Sequence, residues 1–386
     1  MEEWKEYKLG EVLCQKGYIR GPFGSALKRG DLMNDGIPVY EQQHAIYNKR
    51  EFRYFINEEK YNEMRRFAVS QKDIIISCSG TVGEVSLIKK EDPLGIISQA
   101  LLLLRVDTKR ILPEYLLYFF KTAKGHNSII SRSSGSVQVN IARREVIESI
   151  PLLLPSICVQ KTIVTILKTL DDKIEVNRQI NDNLQQQVQA LYKSLFVDFE
   201  HFNEGEFEES ELGIIPKGWN VAKLGELIDI KYGKDHKKLL NGNFPVYGSG
   251  GLMRYAEKAL YKGESVLIPR KGTLNNVMYV NEAFWTVDTL FYSVPKVNNA
   301  MLFVYIYLKN KDLSSFNAGS AVPSMTTEIL NNMKVIVPTD GILEEFNQKA
   351  FVIFSAIRQN QQESRCLSSI RDSLLPKLMS GELKIS

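Results

Sequence analysis

Between residues 156 and 196 the apolar side chains fall on a heptad grid, and no other stretch limits the possible folds as tightly. Ile163, Leu167, Leu170, Ile174, Leu184, Val188, Leu191 and Leu195 alternate in steps of four and three, with Asn177 and Asn181 in the two slots between. That period is a coiled-coil seam, a stripe of side chains that faces a partner helix. A shift of 183 residues brings the grid back as Phe346, Ala350, Ile353, Ile357, Asn360, Ser364, Leu367, Arg371, Leu374 and Leu378. Asn177 and Asn360 share one seam position, and a lone seam Asn lowers stability while it fixes register. Pro155 and Pro338 also lie 183 apart, each closing a short apolar run just before the helix. A helix of about 40 residues spans roughly 60 Å at 1.5 Å per residue, long enough to serve as a spacer. Heptads can also simply pack a bundle, but a bundle rarely needs two helices this long and alike.

The repeat extends beyond the helices. Trp4 with Leu9-Gly-Glu answers to Trp219 with Leu224-Gly-Glu at an offset of 215, and Pro38-Val-Tyr answers to Pro245-Val-Tyr at 207. Gly80-Thr matches Gly272-Thr at 192, the segment ending at Lys121 matches that ending at Lys309 at 188, and Gly135-Ser matches Gly319-Ser at 184. The offset falls and never reverses, as a tandem duplication leaves it when one copy has lost loop residues. The intervening runs at 73–77, 101–106, 264–268, 277–280 and 291–294 read as strands broken by Gly, Ser and Asn turns, with one helical stretch per half at 113–121 and 300–309. The expected fold class is α+β: two tandem-duplicated strand-rich globular domains, each followed by a long helix, the two helices running parallel or antiparallel as a coiled coil in a pseudo-symmetric dumbbell. The expected divisions are 1–154 (first globular domain), 155–200 (first helix), 201–216 (acidic linker), 217–337 (second globular domain) and 338–386 (second helix).

Charge is distributed unevenly: net +3 over residues 1–200, −5 over 201–212 and +6 over 213–386. The acidic piece reads as a solvated connector between two mildly basic halves, a balance that permits nucleic-acid binding without proving it. The apolar run around residues 100–104 is far below the ~18 needed to span a bilayer, and the first residues do not read as a signal peptide, so a soluble, cytoplasmic protein is expected. Cys14, Cys78, Cys158 and Cys366 are scattered and none has a histidine nearby in sequence, so neither a disulfide framework nor a zinc site is indicated.

The order of globular module, Leu-rich helix, linker, second module and second helix resembles the specificity subunit of type I restriction-modification systems. The residues that carry it are Trp4 and Trp219 at the heads of the halves, the Gly-Thr turns, the Gly-Ser turns followed by the run from Ile150 to Pro155, and the helix end from Ala190 to Phe196, echoed from Ser373 to Met379. The second copy departs from the pattern between Pro338 and its helix, so that helix start is left open. The resemblance implies that each module is a target recognition domain reading half of a split double-stranded DNA site, with the helices pairing as an antiparallel coiled coil, a ruler fixing the gap. It further implies two docked methyltransferase subunits and translocating restriction subunits, with S-adenosylmethionine and ATP on those partners and no cofactor on this chain.

Base reading needs donors and acceptors on loops, with cations nearby for phosphates. The candidates in the first module are Arg20, Ser25, Lys28, Arg29, Gln42, Gln43, Ser79, Thr81, Arg132, Gln138, Asn140 and Arg143. In the second they are Lys231, Lys234, Lys237, Lys238, Arg270, Lys271, Thr273, Asn275, Asn276 and Ser320. The pairs Gln42-Gln43 and Asn275-Asn276 stand out because an amide can bond adenine bidentately. Catalytic motifs are missing: the chain has no Pro-Pro for an amino-methyltransferase motif and no phosphate-binding loop ending in Gly-Lys-Ser/Thr. Glu-x-Lys triplets at Glu6 and Glu382 lack the Pro-Asp of a nuclease motif, and His44 and His126 read as surface histidines in polar loops. No catalysis is expected of this chain. The competing expectation is a duplicated adaptor that spaces two protein partners and never touches DNA.

Overall fold

Four successive leucines can be buried only where both faces of a sheet are covered, and the run Leu101–Val106 becomes the inner strand of the first module. In the computed structural model, which describes residues 4–23, 26–132, 139–202, 206–316 and 323–383, this strand pairs antiparallel with Leu13–Arg20 and Ile74–Ser77. Val85–Leu87 completes the four-stranded sheet. Ile74, Ile76, Leu102 and Leu104 face one core with the helix Pro113–Lys121, while Ile75, Leu101 and Leu103 face another with Val39, Tyr40 and Ile96. Pro113 opens its helix where a missing N–H has no intrahelical partner to lose, and Tyr115, Leu116, Phe119 and Phe120 bury one side of it. Thr122 ends it, and its hydroxyl caps the next helix, Ala123–Ile129, by accepting from the Gly125 N–H at 3.0 Å.

The second module repeats this plan. Its sheet runs in the order Ile228–Tyr232, Leu290–Pro295, Tyr261–Pro269, Met278–Thr286, Phe244–Gly248 and Gly251–Ala256, and the first four strands reproduce the first module's order. Phe244–Gly248 runs parallel to the far end of Met278–Thr286, pairing Val246 with Trp285, as Ile37–Tyr40 runs parallel to Ile96–Ile97, pairing Val39 with Ile96. The long strand of the second module is thus two short strands in the first. A further antiparallel pair closes each module, Lys5–Lys8 on Pro151–Leu154 and Asn220–Lys223 on Lys334–Val337.

The long helices run Ile157–Phe196 and Asp340–Ser380, each beginning two residues after its proline, so the start left open by the sequence is the same in both copies. The chain divides into two units, 1–175 with 363–386, and 176–362, and both long helices are shared between them. This differs from the sequence divisions, which gave each helix whole to the module before it. Within the first unit the helices meet antiparallel: Arg371 donates to Asp171 at 2.7 Å and Lys173 pairs with Glu363 at 3.2 Å. Ile163, Leu167 and Leu378 are buried in that core, with Leu374 packed against it. Within the second unit Tyr192 meets Phe346, and Val188, Leu195, Phe346 and Ala350 join the core, with Leu191 and Ile353 against it. Ile357 is buried, and Leu170, Ile174, Leu184 and Leu367 are half-buried, so every seam position lies on the covered side.

The seam asparagines bond each other. The Asn360 amide donates to Asn181 Oδ1 at 2.9 Å, and the Asn177 amide reaches the Asn360 carbonyl at 3.5 Å.

Two expectations are corrected. The acidic linker is not just a solvated connector: Phe207–Ser210 and Gly213–Pro216 pair as a hairpin, Ile215 is buried, and Phe199, Phe202 and Phe207 gather edge-on near Trp219. In the hairpin register Phe207 lies opposite Pro216 and Ile215 opposite Glu208, so the two apolar side chains leave on opposite faces. His44 is not a surface residue but 1% exposed and stacked on Phe52 at 4.5 Å, its Nδ1 accepting from the Glu41 N–H at 2.7 Å and its Nε2 donating to the Glu51 carbonyl at 3.0 Å. Burial holds its pKa below the ordinary histidine value.

Candidate nucleic-acid interface

One corner of each sheet gathers the polar residues, and strand register shows that the corners are equivalent. In the first module Arg20 pairs with Leu102 and Ser77 with Leu101, and in the second Tyr232 pairs with Phe291 and Pro269 with Leu290. Gly21 and Gly233 follow the first strand, their N–H groups donating to the Leu101 and Leu290 carbonyls at 2.9 and 3.0 Å. A Cβ at Gly21 would stand 1.9 Å from the Ser98 carbonyl oxygen and one at Gly233 2.0 Å from that of Val287, so only glycine fits either place.

The Gly-Thr turns lie at the same corners. Gly80 and Gly272 have φ of +62° and +86°, the left-handed region that glycine enters without strain. A Cβ on Gly80 would lie 3.5 Å from the Gln42 amide nitrogen and one on Gly272 3.3 Å from the Ser249 hydroxyl. The strand before each of these side chains, Ile37–Tyr40 or Phe244–Gly248, is the equivalent strand of its module. The fold therefore brings Arg20, Gln42, Ser79 and Thr81 to one corner, and Arg270, Lys271, Thr273, Asn276 and Ser249 to its counterpart.

The guanidinium at each corner is held. Arg20 donates from Nη1 to the Leu101 carbonyl at 3.1 Å and lies 5.8 Å from the Phe23 ring centre, and it sits beside Cys78, whose thiol burial pushes up to about 11. Arg270 donates from Nη1 to the Asp288 carbonyl at 3.2 Å and lies 5.4 Å from the Tyr232 ring centre. Both arginines are half-buried, while Phe23 and Tyr232 are 64% and 53% exposed.

The other candidates separate by their partners. Gln42 Oε1 is buried with no hydrogen-bond partner among the described residues, whereas Gln43 reaches the Glu41 carboxylate and the Glu51 carbonyl, both at 3.5 Å. The Asn275 side chain is held internally, donating to Asp312 at 2.9 Å and accepting from the Ser314 N–H at 3.1 Å, and the Asn276 amide donates to the Ser249 carbonyl at 2.8 Å. These two asparagines shape the loop behind the Gly272 turn. Lys231 pairs with Asp229 on its own strand. Lys28, Arg29, Arg143, Lys234, Lys237, Lys238 and Lys271 are exposed, and so are Ser79, Thr81 and Thr273. The backbones of Arg132 and Asn140 belong to the paired strands Ile130–Arg132 and Val139–Ile141, but their side chains lie outside the described residues, as do Ser25, Gln138, Ser320 and both Gly-Ser turns. Phe23, Tyr232 and Ser249 were missed in the sequence. Ser249 follows Gln42 at the same 207 offset that relates the Pro-Val-Tyr runs, so the repeat itself could have found it.

Among the described residues no group of three or more His, Cys, Asp or Glu side chains could hold a metal ion, and no helix is long and apolar enough to cross a membrane.

The chain is similar to known proteins over most of its length. The MjaIX specificity subunit of Methanocaldococcus jannaschii, a type I restriction enzyme component, is 28% identical over 304 residues, covering 71% of this chain and 70% of that protein. The HindI specificity subunit of Haemophilus influenzae is 22% identical over 475 aligned positions, covering 99% of this chain and 100% of its own. The crystal structure of a type I restriction-modification S subunit from M. genitalium shares the fold, with a TM-score of 0.62 at 17% identity over 100% of this chain and 97% of that one. The sequence model of the type I restriction modification DNA specificity domain matches residues 1–186 and again 216–365, one copy on each half of the duplication. With both copies matched over most of its length, the chain belongs to the type I restriction-modification DNA specificity family.

Proposed function

We propose that this chain is the sequence-reading subunit of a type I restriction-modification complex, each globular module recognising one half of a split duplex DNA site. The observation that carries this is the repeated corner: two modules with matched strand register gather, at equivalent corners, a tethered guanidinium, a Gly-Thr turn and a polar side chain that follows the equivalent strand. Exposed lysines on the nearby loops suit phosphate contacts, which position a protein on DNA without reading sequence. The seam asparagines set helix register and the helix pair sets the gap between half-sites. Two methyltransferase subunits dock on the helices, and restriction subunits that translocate DNA join them. Those partners carry the S-adenosylmethionine and ATP and perform the chemistry, in the cytoplasm, while this chain selects the site.

The test replaces the second module with a second copy of the first in the full chain, co-purified with its methyltransferase subunits, and selects bound duplexes from a random pool. The reading expects two copies of the half-site that the first module selects in the unaltered chain. An unchanged pair of blocks would contradict it.

A further inference from the structure

The two corners do not obtain their guanidinium from the same strand. In the first module the arginine is the last residue of Leu13–Arg20, and the position after the strand Ile74–Ser77 holds Cys78. In the second module that later position holds Arg270, and the place of Arg20 is taken by Tyr232. The backbone confirms the correspondence, since Cys78 and Arg270 donate their N–H groups to the Ala100 and Thr289 carbonyls at 2.8 and 2.9 Å. A packing requirement would tie the arginine to one strand and one neighbour. Here the residue has moved across the corner while the guanidinium, its carbonyl tether and its adjoining aromatic ring have been kept.

Neither arginine forms a salt bridge among the described residues, so neither is held by a carboxylate. Each gives Nη1 to a backbone carbonyl beside an exposed ring, and Arg20 also meets the Cys78 thiol, contacts that restrain the plane of the group. A restrained planar fork matches two adjacent acceptors, and in the major groove guanine offers O6 and N7 in that arrangement. The exposed lysines, with flexible stems, suit a phosphate and not a paired acceptor.

We propose that Arg20 and Arg270 are the guanine readers of their modules, the same recognition point delivered from two different strands. This rests on the DNA-reading function above. The experiment uses the full chain assembled with its methyltransferase subunits and compares selected motifs for the unaltered protein, Arg20→Lys and Arg270→Lys, with subunit capture and thermal midpoint confirming that each variant is folded. Lysine keeps the charge and loses the fork. The expected result is that each variant blurs one G·C position in one block and leaves the other block sharp, with affinity for the original site falling about tenfold to a hundredfold. Two sharp blocks in both lysine variants would overturn the arginine assignment and leave the bipartite reading intact. An unaltered complex that selects no motif would overturn the DNA-reading function, and this assignment with it.

Discussion

Asp171 is where the two halves of the duplication differ most plainly at the level of single residues. It accepts from Arg371 at 2.7 Å and from the Tyr118 hydroxyl at 2.9 Å, and burial with the nearby carboxylate pushes the Tyr118 pKa up. A shift of 183 puts Phe354 and Val188 at the equivalent places, and Phe354 packs on Tyr279 and Tyr305. With Asp171 and Arg371 each about a quarter exposed, the pair contributes about 1 kcal/mol. Arg371→Val alone should therefore lower the thermal midpoint more than the double substitution Asp171→Phe with Arg371→Val, and a double-mutant cycle of unfolding free energies checks it. His44 gives a pH dependence. Its folded pKa lies below the ordinary value of 6.5, so the unfolded chain binds the proton first as pH falls. The contribution is fully present above about pH 7 and is lost progressively below about 6.5. The thermal midpoint of the unaltered chain should drop over that range more steeply than that of His44→Phe. At this scale little was legible in sequence. The burial of His44 depends on Phe52, the Glu41 N–H and the Glu51 carbonyl, which the fold gathers around it, and Asn275 looked like a reader because its bond to Asp312 spans 37 residues.

The long helices were legible almost to the residue, because a heptad grid is local and repeats often enough to outweigh any one exception. Leu167 and Leu195 are 0% and 2% exposed, and truncation of either to alanine should cost about 2 to 5 kcal/mol, read from chemical denaturation. The asparagines act differently. Substituting Leu at Asn177, Asn181 and Asn360 together should raise the thermal midpoint while loosening helix register, which disulfide trapping across the seam would detect as several products where the parent gives one. Strands inside the modules were also readable from their apolar runs. The hairpin after the first long helix was not, because the five glutamates between 201 and 212 made its first strand read as a solvated connector. Inserting one heptad into each helix should lengthen the gap between half-sites; a gap that stays fixed would rule out the ruler.

For the molecule as a whole, the duplication was legible because collinear matches accumulate over the full length, and the matched register of the two sheets now gives those matches a structural meaning. The offset falls where the first module breaks one long strand into Val85–Leu87 and Ile96–Ile97 around an extra loop, a physical cause for part of what the sequence showed only as a number. The corner stayed hidden because Arg20 and Tyr232 share a position but not a chemistry, so no sequence match marks it. The central claim, that two modules read two half-sites at a fixed separation, is tested most directly by selecting bound duplexes from a random pool with the chain assembled on its own methyltransferase subunits. The account predicts two short defined blocks separated by a constant unspecified gap. A single block, blocks at variable separation, or no enrichment by an intact assembly would contradict it.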